Sequence, residues 1–211
     1  EKGVRFGFNK KIHNFAACFM GLALLFMGLG LLKESLELGS AAGEVLAVID
    51  GWGLGGILLG VLIGAFITAL IHSSSAMTAI VLTMAANGTL SWELSAAIVL
   101  GSNIGSTVDA LMSSFGATVN ARRTAFVHVA FNVTGTVLAL LVFKPFLTLI
   151  DFIVPLSPST NITTHIAMLH TIFNICATAI FVPFVNQIAA ISKKVIPETQ
   201  TEKDEHYHFP A

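Results

Sequence analysis

The sequence predicts an all-α integral membrane fold: about four spanning helices, a re-entrant helical hairpin and a discontinuous helix. Three observations carry this. The 211 residues are 55% hydrophobic and only 11% charged, whereas a soluble domain carries roughly 25% charge. Uncharged apolar stretches recur at about the 20-residue length that crosses a bilayer. Two short polar breaks lie among them, His72-Ser73-Ser74-Ser75 and Gly101-Ser102-Asn103-Ile104-Gly105-Ser106-Thr107. Hydroxyls and amides are costly in hydrocarbon, and irregular backbone at membrane depth survives only where it is buried in protein or lines a water-filled cavity. The discontinuous helices of transporters are built this way. A formal net charge of −1, without a basic stripe, gives no footprint for nucleic acid. No nucleophile–base constellation is visible, so the chain is not expected to be an enzyme.

Taken in order, Glu1–Asn14 is a basic, cytoplasmic stretch with Lys2, Arg5, Lys10 and Lys11. It opens without Met, as a piece of a longer protein would. Phe15–Leu32 is the first expected span, closed by Lys33, Glu34 and Glu37, and Gly39–Gly51 reads as a connector. Gly53–Ile71 is uncharged, and Gly56, Gly60 and Gly64 place small residues on one face, where another helix can approach closely. Ala76–Ala86 is apolar but too short to cross ~30 Å of hydrocarbon at ~1.5 Å per residue, and Asn87-Gly88 is a turn signal. The expected form is a hairpin that enters and leaves on one side, with Ser73–Ser75 at its tip. Leu94–Val119 crosses, interrupted at Ser102–Thr107, and Ala121-Arg122-Arg123 is a basic loop. Thr124–Phe143 and Ile162–Phe184 are further spans, separated by an interfacial segment, Pro145–Leu156, that carries Asp151. The membrane repeat covers 15–191, and 192–211 form a polar cytoplasmic tail. Cys18 and Cys176, both within apolar runs, read as small buried hydrophobes.

Charge supports this order. With the hairpin returning to its side of entry, Lys10/Lys11, Arg122/Arg123 and Lys193/Lys194 all fall in the cytoplasm, as the positive-inside rule asks. A single crossing by Gly53–Ala86 would put the last two clusters outside.

The polar breaks carry the chemistry. Ser73, Ser74 and Ser75 offer three hydroxyls, and the helix starting after them presents unpaired N–H groups and the positive end of its dipole. Together these make an anion site without a cation; the same serines could instead only bond neighbouring helices. Gly101–Thr107 combines glycines that allow unusual backbone angles with Asn103, and with Ser106 and Thr107 as possible caps for a following half-helix. Freed carbonyls and neutral oxygens suit a hard cation such as Na⁺; a plain kink is the alternative. His128/Asn132/Thr136 and His170/Asn174/Thr178 form a polar stripe on each of two helices, for interhelical bonding or a part in transport. Asp109 is an intramembrane carboxylate and therefore a coupling candidate, or else an interfacial residue.

The HSSSA run, Ser73–Ser75 above all, followed by GSNIGST, resembles the paired Q-S-S-S and G-A-N-I-G-T-T motifs of the sodium-dependent phosphate cotransporter family. Gly21–Gly30 and Ala121–Phe131 are similar to the second repeat of its bacterial members. The resemblance spans roughly Phe15 to Phe184. It implies sodium-coupled symport of inorganic phosphate by a multi-pass protein of the bacterial inner membrane. Phosphate-binding roles would fall on His72, Ser73, Ser74 and Ser75, and sodium-binding roles on Ser74, Asn103, Ser106 and Thr107. Na⁺ is then the coupling ion, with no organic cofactor. Symport of another small anion, or a non-transporting subunit in phosphate sensing, are the alternatives. His72 stands for the family's Gln, Ser102 for Ala and Ser106 for Thr. The family carries its motifs in two inverted repeats, and this chain has one Ser triplet. The first repeat is therefore expected on further sequence or on a partner chain, such as a second copy, and a PhoU-like domain is a further expected partner.

Overall fold

The structure, a computed structural model, describes residues 10–37 and 40–198. Its described residues are helical with no strand: α1 Lys10–Glu37, α2 Ser40–Asp50, α3 Leu54–Ile71, α4 Ser74–Ala86, α5 Trp92–Gly105, α6 Thr107–Ser114, α7 Val119–Leu141, α8 Phe143–Ile153, α9 Pro158–Phe181 and α10 Val185–Val195, with a 3₁₀ turn Val182–Phe184 before α10. Two compact units divide the chain at Ser40/Ala41. In the first, α1 stays helical through Lys33, Glu34 and Glu37, so these charges end the apolar run and not the helix.

In the second unit, four helices are long and apolar enough to cross a membrane: Leu54–Ile71, Trp92–Ser114, Val119–Leu141 and Pro158–Val195. α3, expected as a hairpin arm, has spanning length itself, and the expected span Phe15–Leu32 lies within the unbroken helix α1. The expected connector Gly39–Gly51 is largely helix α2. The last span outruns Phe184 because only a short turn at Pro183 separates α9 from α10, which carries Lys193 and Lys194. The rest of the expected tail, 199–211, and the basic residues 1–9 lie outside the described residues. Cys18 and Cys176 are both exposed, which corrects the expectation of burial.

α5 is the axis of this unit. Every residue from Leu94 to Asn103 is buried, and α3, α4, α7 and α9 all pack on it. α3 runs parallel to α5, and glycines let the two backbones meet. A Cβ on Gly64 would lie 2.0 Å from the Ile98 carbonyl oxygen, and one on Gly101 would lie 2.0 Å from that of Val61. Further along, Gly105 sits against Ala65 and Thr68. The face marked by Gly56, Gly60 and Gly64 is the buried face of α3 and continues to Thr68, while Leu54, Leu58, Leu62, Phe66 and Leu70 remain exposed on the other side.

The chain then weaves between two ends. Ser91 donates to Asp50 at 2.6 Å, so α3 and α5 start at one end. α6 and the start of α7 lie at the other, where Arg123 donates to the Ile196 carbonyl at 2.9 Å just after α10. Arg122/Arg123 and Lys193/Lys194 thus share one end, as the charge argument requires of those two clusters. α8 lies at the Asp50 end and buries Phe143, Leu147 and Ile150 while exposing Leu149 and Phe152, the two-faced pattern of an interfacial segment.

The glycine contact is testable. In Gly64→Ala or Gly101→Ala the new methyl meets main chain, which cannot rotate away, so the helices must part. Overpacking of this kind costs about 1–3 kcal/mol, and the melting temperature of the purified protein should fall. Gly55, whose Cβ would meet only Trp52 at 3.8 Å, is the control, and Gly55→Ala should melt no lower than the parent.

Candidate functional site

The tip of the α3–α4 hairpin is a two-residue reversal. His72 closes α3 in the left-handed region (φ 55°, ψ 29°), with its N–H bonded to the Thr68 carbonyl at 2.8 Å. Histidine is one of the few residues other than glycine enriched in that region. Ser73 is extended and caps α4, its Oγ accepting from Ala76 N–H at 3.2 Å. Ser74 and Ser75 then occupy the first turn of α4, where the helix supplies no acceptor for their N–H groups. Ser75 is exposed and Ser73 and Ser74 are half-buried. One hairpin tip thus holds three hydroxyls, free amides and a positive helix end, with no Lys or Arg between Leu54 and Ala86.

The second motif meets this tip. His72 Nδ1 contacts the carboxylate of Asp109, which stands in the first turn of α6, where the helix dipole favours negative charge. The contact follows from the α3–α5 packing: parallel helices that meet at Gly64/Gly101 and Thr68/Gly105 bring residue 72 level with residue 109. α6 continues to Ser114, so the hairpin turns back before the α5–α6 rod ends.

The break itself is milder than its glycines suggest. α5 stays helical through Gly105, and Ser106 alone separates it from α6, with right-handed angles (φ −64°, ψ −17°). Gly101 and Gly105 serve close approach to α3; the glycines with positive φ are Gly53, Gly88 and Gly116. Ser106 and Thr107 do not cap α6. Their hydroxyls turn back to the Asn103 and Ile104 carbonyls at 2.8 and 2.7 Å, an i−3 bond open to Ser and Thr in a helix. Asn103, buried, donates to the Val99 carbonyl at 3.3 Å.

The polar stripes divide. Thr136 links helices, donating to the Leu100 carbonyl at 3.2 Å. Asn132 and Asn174 instead bond back to the His128 and His170 carbonyls of their own helices, at 2.9 and 2.8 Å. His128 is exposed and His170 half-buried. One residue escaped the sequence reading. Thr68, fully buried against Gly105, has no hydrogen-bond partner for its hydroxyl. The signal was present, since Thr68 extends the four-residue spacing of Gly56, Gly60 and Gly64. A buried, unsatisfied oxygen beside the α5/α6 joint adds to the oxygens a hard cation could use.

A family model described as Na⁺/Pi-cotransporter matches residues 36–185. The uncharacterized protein YqeW of Bacillus subtilis (strain 168) is 31% identical over 183 residues, 85% of this chain and 56% of that protein. YjbB of Escherichia coli (strain K12), named "Putative inorganic phosphate export protein", is 28% identical over 188 residues, 87% of this chain and 33% of its own length. Human sodium-dependent phosphate transport protein 2C is 38% identical over 96 residues, 44% of this chain and 16% of that protein. The chain therefore spans about half, or less, of the length of these relatives. No solved structure matches it. With the match running from α1's end through the hairpin and α5–α6 to the last span, this chain belongs to the Na⁺/Pi-cotransporter family.

Proposed function

We propose that the chain forms one repeat of a sodium-coupled transporter of inorganic phosphate in a bacterial inner membrane, and that the hairpin tip and the α5–α6 joint are its substrate and ion site. The observation that carries this reading is the contact of His72 with Asp109, which joins the hairpin tip to the helix that follows the second motif. Phosphate would be held by the hydroxyls and first-turn amides of Ser73, Ser74 and Ser75, with His72 at the rim. The carboxylate of Asp109 gives sodium its part. At ~4 Å it would oppose an anion by about 4 kcal/mol at an effective dielectric of ~20. A cation held between them, by oxygens of Ser74, Asn103, Ser106 and Thr107, reverses that sign. Each solute then raises the affinity for the other, which is the thermodynamic content of coupling. The hairpin would be re-entrant, its tip reached from one side at a time as the repeat moves against its counterpart. That counterpart is a first repeat on further sequence or a partner chain, and a PhoU-like domain would act as a regulator.

Sodium coupling is reversible, so direction follows the gradients, and the export named for YjbB is compatible with the same site. Proteoliposomes with imposed sodium gradients and radiolabelled phosphate test both senses. Flux that follows the sodium gradient supports the reading. Flux indifferent to sodium, or displaced equally by sulfate or a dicarboxylate, removes it.

Two variants sharpen the assignment. Ser74→Ala/Ser75→Ala should weaken apparent phosphate affinity about ten- to a hundredfold, the equivalent of losing hydrogen bonds to a charged group worth about 1.5–3 kcal/mol. Asn103→Ala/Thr107→Val should lose sodium activation at an unchanged protein level, and unaltered activation in a folded double variant would refute the cation site.

Accessibility tests the tip. In a chain with Cys18→Ser and Cys176→Ser, a Ser74→Cys thiol should react with an impermeant reagent slowly, and more slowly still with sodium and phosphate together. Fast labelling that ignores both solutes would place the tip in an ordinary loop.

A further inference from the structure

At the Asp50 end of the bundle, away from the hairpin tip, a second pair of ionisable groups meets. His165 of α9 is fully buried. One turn before it, Asn161 leaves helical geometry (φ −138°, ψ 46°) and kinks α9, and the Asn161 main-chain oxygen lies 2.9 Å from His165 Nδ1. A carbonyl oxygen can only accept, so Nδ1 carries the hydrogen. The other ring nitrogen, Nε2, has no hydrogen-bond partner and lies 3.5 Å from Asp151 Oδ1 on α8. A neutral imidazole protonated at Nδ1 presents a lone pair at Nε2, and an ionised carboxylate also only accepts. Two acceptors would then face each other; Asp151, 39% exposed, can be hydrated, so the cost falls on the buried Nε2, which is left without a donor. One proton between them resolves it, by making Nε2 a donor to the carboxylate.

From α5, Trp92 packs edge-on against the imidazole with ring centroids 5.6 Å apart, its buried Nε1–H also without a partner, and Glu93 next to it is exposed. Glu93 lines a cavity of about 640 Å³ with Asp50 and Lys144. α4, which also packs on α9, has no ionisable side chain between Ser74 and Ala86. On α9 itself the next ionisable side chain is His170, and α7 carries Arg122 and Arg123 at the opposite end and His128, which is exposed.

We propose that Asp151 and His165 form a proton-binding site, separate from the hairpin tip, that holds one proton where α8 meets the kink of α9. Proton binding ties the interfacial helix to a spanning helix through an imidazolium–carboxylate contact, and proton release leaves two facing acceptors in its place. The site would give the protein a response to pH that is independent of phosphate ionisation.

The test uses the protein in lipid nanodiscs with ¹⁵N-labelled histidine, free of phosphate, so its outcome does not depend on the transport reading. The His165 signal is identified by its loss in His165→Gln. Over a window of about pH 5 to 9, which brackets histidine titration, the ring should carry two protons at the acid end and one, at Nδ1, at the other. Asp151→Asn supplies an amide donor to the neutral ring, and the variant ring should keep a single proton, at Nδ1, at the acid end where the parent ring carries two. A ring that never takes the second proton in the parent, or that takes it equally in Asp151→Asn, overturns the proposal.

Discussion

The rest of the structure depends on main-chain contact between α3 and α5. Where a side chain would normally hold two helices apart, Gly64 lies against the Ile98 carbonyl and Gly101 against that of Val61. In a membrane protein, apolar side chains gain little by leaving lipid for one another, so close packing of small residues is what brings helices together. Because the glycines recur at the same spacing along both helices, they set register as well as distance. That register puts the start of both helices at Asp50 and Ser91 and the hairpin tip beside Asp109.

The polar residues divide in the same terms. Those bonded back to the preceding turn, Ser102, Asn103, Ser106, Thr107, Asn132 and Asn174, keep the backbone regular and leave each break small. Those that reach another element, His72, Ser91, Thr136 and His165, lie at the tip, along the α5–α7 seam and at the Asp50 end. α5 is therefore a helix with polar groups along a buried face, and its α6 continuation is offset by one residue, Ser106.

Family membership and the membrane architecture rest on the whole chain, whereas the proposed chemistry rests on a few atoms at the hairpin tip. Ser73, Ser74 and Ser75 gather donors without a cation, and Asp109 places a negative charge beside them. An anion alone would meet that carboxylate unfavourably, and a cation alone would meet the positive end of α4. In the proposed site, binding the two together is what this pattern of charge would favour.

Much of this was legible in the sequence. Low charge and long apolar runs determined the membrane class, and the short apolar arm after Ser75 determined the hairpin. The four-residue glycine spacing determined the packed face of α3, because these features depend on local length, periodicity and hydropathy. The mildness of the α5/α6 break was not legible. A glycine that frees the backbone and a glycine that admits a neighbour look alike until the neighbour is present, and Gly101 and Gly105 proved to be the second kind. Nor could the sequence pair His72 with Asp109, or His165 with Asp151, or reveal Thr68 as an unsatisfied buried hydroxyl. Those relations join residues on different helices, and only the register of the packed helices decides which side chains meet.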